Sequence, residues 1–383
     1  MAFPSKEVAV VGIYLTEQGK LSHRSTRSLQ WEAFQGAMAD AGLKPKDIDG
    51  ILPSVRNDDG WFAQQLDKTL VNVPGGLMGA ESLATASAYI GAGLCNSIAI
   101  VHGTSGQPLG PTGKPGTTTH QAPRVGEWGF EHWGMIWTTW YAQMAQRHMY
   151  EFGTTSEQLA EVAKTFRHHA TLNPRSIMGA RGDISTADVI NSRMISSPLH
   201  LLDCSLDNDG GYAIVVTTTE RARDLKKKPV YVLGAATATW ASSYEEFNDD
   251  YWPSPASVTG PKALAMAGVT HDDLDVLGIY DCFTITVARL MEDLGFCKLG
   301  EGGPFVASGV LGLDGKFPTN TDGGLLSNSH NRNPGGMHTI EVVRQLRREV
   351  EPERQVPNAK IGFCHVQGTA VLGKNGSCVL AID

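Results

Sequence analysis

The chain has 383 residues, 41% hydrophobic and 19% charged, which supplies a large core and excludes wholesale disorder. Thirty-two basic against forty acidic side chains give a formal charge of −8, which argues against a nucleic-acid surface as its main business. No apolar run approaches the ~18 residues that cross a bilayer, and Met1–Glu7 lacks a signal-peptide pattern, so a cytoplasmic protein without a membrane segment is expected.

Val8–Ile13 is an apolar run of the kind a buried strand shows, and Ser25-Thr26-Arg27-Ser28 caps a helix that runs to Ala41 and stops at Gly42. Ile51-Leu52 starts another extended piece. Between Val71 and Gly113 the only formally charged residue is Glu81, and the Ala/Gly-rich stretch Leu83–Leu94 has no polar face. Such a helix is expected to be covered on all sides. Gly103–Gly126 is loaded with Gly, Pro and Thr and predicts a long loop. Trp128, Trp133, Trp137 and Trp140 follow, at spacings that suit one side of a helix. They are read either as the aromatic core of an inserted subdomain (about 104–200) or as a wall for a bulky apolar substrate. Val230–Gly234 predicts a strand, and a helix from about Gly260 to Ala267 stops at Gly268. Val276–Ile279 is a further apolar run. A helix over about Met337–Val350 places Ile340, Val343 and Leu346 at helical spacing but carries Arg344, Arg347 and Arg348, so it is expected to be half exposed. Alternating strands and helices favour an α/β architecture.

Two stretches recur. Ala41-Gly42-Leu43 with Asp47-Ile48-Asp49 matches Ala267-Gly268-Val269 with Asp273-Leu274-Asp275. Downstream, Asn72, Gly75, Gly76 and Leu77 match Asn320, Gly323, Gly324 and Leu325, with an insertion around Lys298–Pro318 absorbing the longer second spacing. Two matches in the same order indicate an internal duplication, with halves at 1–228 and 229–383, and shared sites form where such halves meet.

Three polar clusters lie at the ends of strand-like runs: Tyr280 after Val276–Ile279, His330 in the turn after Gly323-Gly324, and Cys364-His365 before Gly368. A Gly/Asn/Ser-rich turn brings backbone N–H groups and an imidazole near a bound carbonyl oxygen. Each cluster also has an ordinary reading: a core tyrosine, a capped loop histidine, a buried thiol. The six cysteines lie far apart and read as reduced thiols. No metal-ligand spacing stands out, since adjacent His168 and His169 diverge on a helix. No Gly-rich phosphate loop follows the first strand, so no bound cofactor is expected.

The order and spacing of several fragments carry a family resemblance. They are Leu172-Asn173-Pro174, Ser196-Ser197-Pro198-Leu199, Leu202-Asp203-Cys204, Asp209-Gly210-Gly211, Tyr280-Asp281-Cys282-Phe283, Leu294-Gly295-Phe296-Cys297, Gly302-Gly303-Pro304-Phe305 and Gly323-Gly324-Leu325-Leu326-Ser327. Over nearly its whole length the chain resembles the thiolase superfamily, in particular the sterol-carrier-protein-type branch and its bacterial steroid side-chain aldolases. The resemblance implies two similar halves stacked as α-β-α-β-α layers, an acyl-CoA thioester substrate, a homodimer, and a separate small OB-fold, zinc-ribbon partner.

The departures bear on mechanism. The family's carbon–carbon-forming members carry a nucleophilic cysteine where this chain reads Leu77-Met78-Gly79-Ala80, with Met78 as the equivalent. A thioether is not acylated and released as a thiolate is. His330 matches a family histidine, while Tyr280 stands where related enzymes carry His or Asn. The aldolase branch cleaves β-hydroxyacyl-CoA by a retro-aldol reaction without a covalent intermediate. The resemblance therefore implies that Tyr280 acts on the substrate hydroxyl while His330 stabilises or protonates the enolate, or that His330, titrating near neutrality, is itself the base. His365 and His338 are second-line candidates. Glu81 is an acid–base group or a helix-end partner. Cys364 packs beside them, or is the nucleophile of an acyltransferase. A non-catalytic acyl-CoA-binding subunit is the remaining alternative.

Overall fold

A computed structural model describes residues 5–54, 58–75, 79–105, 137–240, 252–368 and 371–383. The strands are β1 (Val8–Leu15), β2 (Gly50–Pro53), β3 (Val71–Asn72), β4 (Ser97–Thr104), β5 (Met194–Ser196), β6 (Leu199–His200), β7 (Gly210–Thr218), β8 (Val230–Thr239), β9 (Val276–Ile279), β10 (Ile361–Gly368) and β11 (Lys374–Ala381). The helices are α1 (Thr26–Ala41), α2 (Asp58–Gln65), α3 (Ala80–Gly91), α4 (Trp137–Phe152), α5 (Ser156–Thr171), α6 (Thr186–Ile190), α7 (Thr219–Ala222), α8 (Ala256–Ala267), α9 (Thr284–Asp293), α10 (Gly302–Ala307) and α11 (Gly335–Arg347).

The main sheet has the order β3-β2-β4-β7-β1-β8-β11-β10-β9, which repeats itself outward from its centre. In the first block β7 runs antiparallel between β1 and β4, and β2 runs parallel to β4. In the second block β11 runs antiparallel between β8 and β10, and β9 runs parallel to β10. A parallel bridge from Leu277 to Thr319 takes the place that β3 holds beside β2, so the matching Asn72 and Asn320 segments occupy equivalent positions. The blocks join edge to edge through Ala9 opposite Tyr231 and Val10 opposite Val230.

The same close approach fixes one helix on each block. A Cβ on Gly12 of β1 would lie 2.2 Å from the Ala37 carbonyl oxygen of α1, and one on Gly234 of β8 would lie 2.2 Å from that of Ala263 of α8. Both helices end in a left-handed glycine, Gly42 (φ 71°) and Gly268 (φ 69°), a conformation that costs a residue with a Cβ about 1 kcal/mol. At the other end of α1 the Ser25 hydroxyl accepts from Ser28 N–H and the Ser28 side chain reciprocates, so Ser25→Ala is expected to cost ~1 kcal/mol. α8 begins at Ala256, one turn earlier than its sequence pattern predicts, and tolerates Pro261 inside it.

α1 packs on β1, β4 and β7, and α8 on β8 and β11. α3 and α11 lie between, α3 against β8 and β11 and α11 against β9, β10, β1 and β7, which gives the α-β-α-β-α layering. The expected burial of these two helices is reversed. α3 leaves Ala84, Thr85 and Tyr89 half-buried and Ala88 exposed. In α11 every residue except Arg344 is buried. Its arginines misled because buried partners replace water. Arg347 donates to Asp40 Oδ2 (3.1 Å) and to the carbonyls of Lys228 (3.0 Å) and Val10 (3.2 Å).

α4 is anchored to α9 through a buried polar cluster. His148 bonds Thr154 Oγ1 (2.8 Å) and Glu292 Oε1 (3.0 Å), Arg289 pairs with Glu292 and Asp293, and the Trp252 ring lies 4.7 Å from the guanidinium. Trp140 is core, whereas Trp128, Trp133 and the side chain of Trp137 lie outside the described residues. Among the described residues no helix is long and apolar enough to cross a membrane, and no cluster of three His, Cys, Asp or Glu side chains is placed to hold a metal ion.

Candidate active site

Tyr280 and Asp281 leave the end of β9, and Asn320 fixes that end. Its side chain accepts from Ile279 N–H (2.8 Å) and donates to the Ile279 carbonyl (2.7 Å), acting as a strand neighbour would. The Asp281 carboxylate is wholly buried. It accepts from Leu325 N–H (2.9 and 3.0 Å) and Leu326 N–H (3.3 Å), capping a wide turn over Gly324–Asn328 that closes with Ser329 N–H on the Gly324 carbonyl. Gly324 has φ 61°, and a Cβ there would lie 2.2 Å from Asp281 Oδ2, so this turn needs its glycine.

The turn delivers His330 to Tyr280. The phenol oxygen lies 3.5 Å from His330 Nε2, with the rings edge to face at 6.5 Å. The ring of His338, on α11, lies 6.3 Å from that of Tyr280, and His338 Nε2 is 3.2 Å from Asp281 Oδ1 but off the line of a good hydrogen bond. Tyr280, His330 and His338 are therefore brought together. His330 keeps an opening to solvent, yet the groups crowded round it desolvate the imidazole and push its pKa down to about 4. This corrects the expectation that it titrates near neutrality: in the free protein it is neutral at pH 7.

Where α3 begins, Gly79 (φ 79°) abuts the start of α11, because a Cβ there would lie 2.3 Å from the Gly335 carbonyl oxygen. Two helix N-termini, each the positive end of a dipole, thus lie side by side. Met78 falls outside the described residues.

His365 does not join this group. Its Nδ1 meets Ser377 Oγ and its Nε2 Asn375 Oδ1, both at 2.9 Å, and Ser377 Oγ bonds Thr259 on α8 (2.8 Å). It faces the outer helix layer, and burial pushes it down to about 3. Strand alternation turns Cys364 the other way. Cys364 sits opposite Cys378 in β10–β11, and a hydrogen bond between the two thiols together with burial raises the Cys378 pKa. All six cysteines lie within the described residues and are free. Burial pushes Cys95 up to about 11 and Cys204, Cys282 and Cys297 up to about 12, away from reactive thiolates. Glu81 is held by Lys374 Nζ at 2.6 Å in the first turn of α3, which is the helix-end role.

Sequence reasoning missed Asp281 and Asn320 as organisers of the site, and Gln18, His102, Asn208 and Tyr212, which hold the His330 loop. Asp281 and Asn320 left a signal as members of the Tyr280–Phe283 fragment and of the Asn-Gly-Gly-Leu repeat, and His102 as a polar residue in the apolar run of β4.

Residues 236–381 match the Thiolase C-terminal domain-like family. The chain is 33% identical to an acetyl-CoA acetyltransferase of Methanothermobacter thermautotrophicus, covering 94% of this chain and 96% of that one. It is 32% identical to a steroid side-chain-cleaving aldolase of Thermomonospora curvata, covering 88% and 90%. The solved Ltp2-ChsH2(DUF35) aldolase superposes with a TM-score of 0.87 at 29% identity, covering 100% of this chain and 99% of that one.

Proposed function

The chain belongs to the thiolase superfamily, and from that premise we propose that it is a carbon–carbon lyase that cleaves a β-hydroxyacyl-CoA thioester by a retro-aldol reaction. One observation carries the reading: a buried tyrosine places its hydroxyl 3.5 Å from a histidine ring nitrogen, in a chain with no cysteine before Cys95. Similarity to the acetyltransferase supports the fold equally well, but acyl transfer by the family route needs a thiolate there.

In the proposed cycle the substrate's β-hydroxyl proton passes through Tyr280 to His330 Nε2. The bond between the α- and β-carbons then breaks, a carbonyl forms, and its electron pair becomes the thioester enolate. In this cycle the N-termini of α3 and α11, which abut at Gly79 and Gly335, supply the positive field for that negative charge. His330, a strong acid once protonated because burial disfavours its cation, returns the proton to the α-carbon. The products are a ketone or aldehyde and a shorter acyl-CoA, with no net proton change. Only proton transfers are needed, so we propose no bound cofactor or metal. Asp281 holds the turn and faces His338, which flanks Tyr280.

The aldolase relative supports a steroid side chain as substrate, and the Ltp2-ChsH2(DUF35) structure supports a separate partner subunit, which the family resemblance makes a small OB-fold, zinc-ribbon protein. A homodimer and a cytoplasmic location complete the proposal, the latter in keeping with six free thiols. The test is to incubate the protein, alone and with a zinc-ribbon partner, with β-hydroxyacyl-CoA thioesters of steroid side chains. A ketone and a shortened acyl-CoA formed without free CoA are expected. Cleavage that requires free CoA and stops on thiol alkylation establishes a thiolase instead, and binding without cleavage under every condition establishes a non-catalytic subunit.

A further inference from the structure

His330 follows β9 and the Gly324 turn in the second strand block, yet the loop that carries it is gripped by side chains from the first. Asn208 Oδ1 accepts from His330 N–H (2.7 Å), and Gln18 Oε1 accepts from Ser329 Oγ and Asn331 Nδ2 (3.0 Å each). The Tyr212 hydroxyl, in β7, donates to the Asn333 carbonyl (2.6 Å). His102, in β4, has Nε2 2.8 Å from the Asn331 carbonyl and Nδ1 2.7 Å from Ser54 Oγ. Its ring lies 5.0 Å from that of Tyr212. The carbonyls of Asn331 and Asn333 are thus anchored on either side of Arg332, which is held at φ 65°, a left-handed conformation that a residue with a Cβ adopts only when its surroundings hold it there.

We infer that His102 is a positioning residue for His330, its imidazole acting as a fixed donor that ties the Asn331 carbonyl to the first block and so sets the depth of the neighbouring ring. The geometry fixes the tautomer. A carbonyl only accepts, so Nε2 carries the proton, and Nδ1 then accepts from the Ser54 hydroxyl. Burial pushes His102 down to about 4, so this neutral form persists at physiological pH. The catalytic consequence rests on the reading of His330 as proton acceptor, but the positioning does not.

The groups facing His330 are Tyr280 from the end of β9, His338 from α11, His102 from β4, and Asp207, which lies 3.7 Å from Arg332 on the loop itself. The experiment follows the His330 ring by histidine-labelled NMR titration without substrate, assigned with His330→Gln, alongside turnover. In the wild type His330 titrates near pH 4. In His102→Leu the loop lifts, the ring hydrates, and its titration moves at least about one pH unit toward the solvated value of ~6.5. His102→Gln, whose Nε2 keeps the donor, restores it. Ser54→Ala, which retains the ring, shifts it in the same direction by ~0.5 unit and serves if His102→Leu does not fold. If the reaction is as proposed, His102→Leu lowers kcat ~10-fold with KM within ~3-fold, the signature of misplaced catalytic geometry. A shifted titration, together with a wild type that splits no β-hydroxyacyl-CoA between its α- and β-carbons, retains the positioning and refutes the aldolase reading. An unchanged His330 titration in folded His102→Leu, or in Ser54→Ala when His102→Leu does not fold, overturns the positioning.

Discussion

Removing the Asp281 carboxylate tests whether one buried side chain builds the site. In Asp281→Ala the Leu325 and Leu326 N–H groups lose their acceptor and stay buried. An orphaned buried donor costs ~1–3 kcal/mol, so the pair costs about 4 kcal/mol. Asp281→Asn keeps one acceptor oxygen and turns its amide toward His338, so it costs about 1.5 kcal/mol, the charge-assisted part alone. With an unfolding entropy of ~2.1 cal/mol/K per residue over 383 residues, these become melting shifts of about −5 °C for alanine and about −2 °C for asparagine. The turn also carries the chain to His330, and a misplacement of ~1 Å costs about 10²-fold in rate. Scanning calorimetry of both variants, with turnover measured at 25 °C, reads the two effects separately. An alanine variant that melts within 1 °C of wild type would show that the turn holds itself, and would refute this reasoning.

Tyr280→Phe is expected to lower turnover at least ~10²-fold with little change in melting temperature, because it removes a proton-carrying hydroxyl and keeps the ring. Near-normal turnover takes Tyr280 out of the mechanism. Iodoacetamide on the folded protein, or Cys364→Ala, is expected to leave turnover within ~3-fold, since four thiols, Cys364 among them, are buried and the two half-buried ones, Cys204 and Cys297, are pushed up to about 12. Inactivation by alkylation would restore a thiol mechanism. Burial lowers His102, His169 and His330 to about 4 and His365 to about 3, so the unfolded chain takes up these protons first as pH falls below ~6.5. Their stabilisation is complete above that pH and is lost toward pH 4. His169→Gln removes one such proton, so between pH 6 and 4.5 its stability is expected to fall less steeply than that of wild type, by up to ~1.4 kcal/mol per pH unit in urea titrations. Coincident slopes would contradict the assignment.

Much of the architecture is legible in the amino-acid sequence. β9 runs from Val276 to Ile279 as its apolar run predicts, Ser25 and Gly42 bound α1, and the segments around Asn72 and Asn320 fall at equivalent places in the two strand blocks. These features follow from local rules: apolar runs, caps, and glycines where the chain must turn left-handed. The apposition of Tyr280 and His330 is legible only through family resemblance, since fifty residues separate them and no local pattern brings two loop ends together.

The sequence by itself determined that the chain is a duplicated α/β protein without a thiol at the start of α3, because strand and helix periods, turn residues and the absence of cysteine before Cys95 are properties of nearby residues. Only the tertiary structure decided which helix is buried, which histidines are neutral, and what each thiol faces. Arg347 looks solvated until Asp40 and two carbonyls surround it, and His365 looks catalytic until Ser377 and Asn375 take both ring nitrogens. The reason is physical: the cost of burying a polar group, and therefore its charge state, depends on partners that arrive from distant parts of the chain, and no window of sequence contains them.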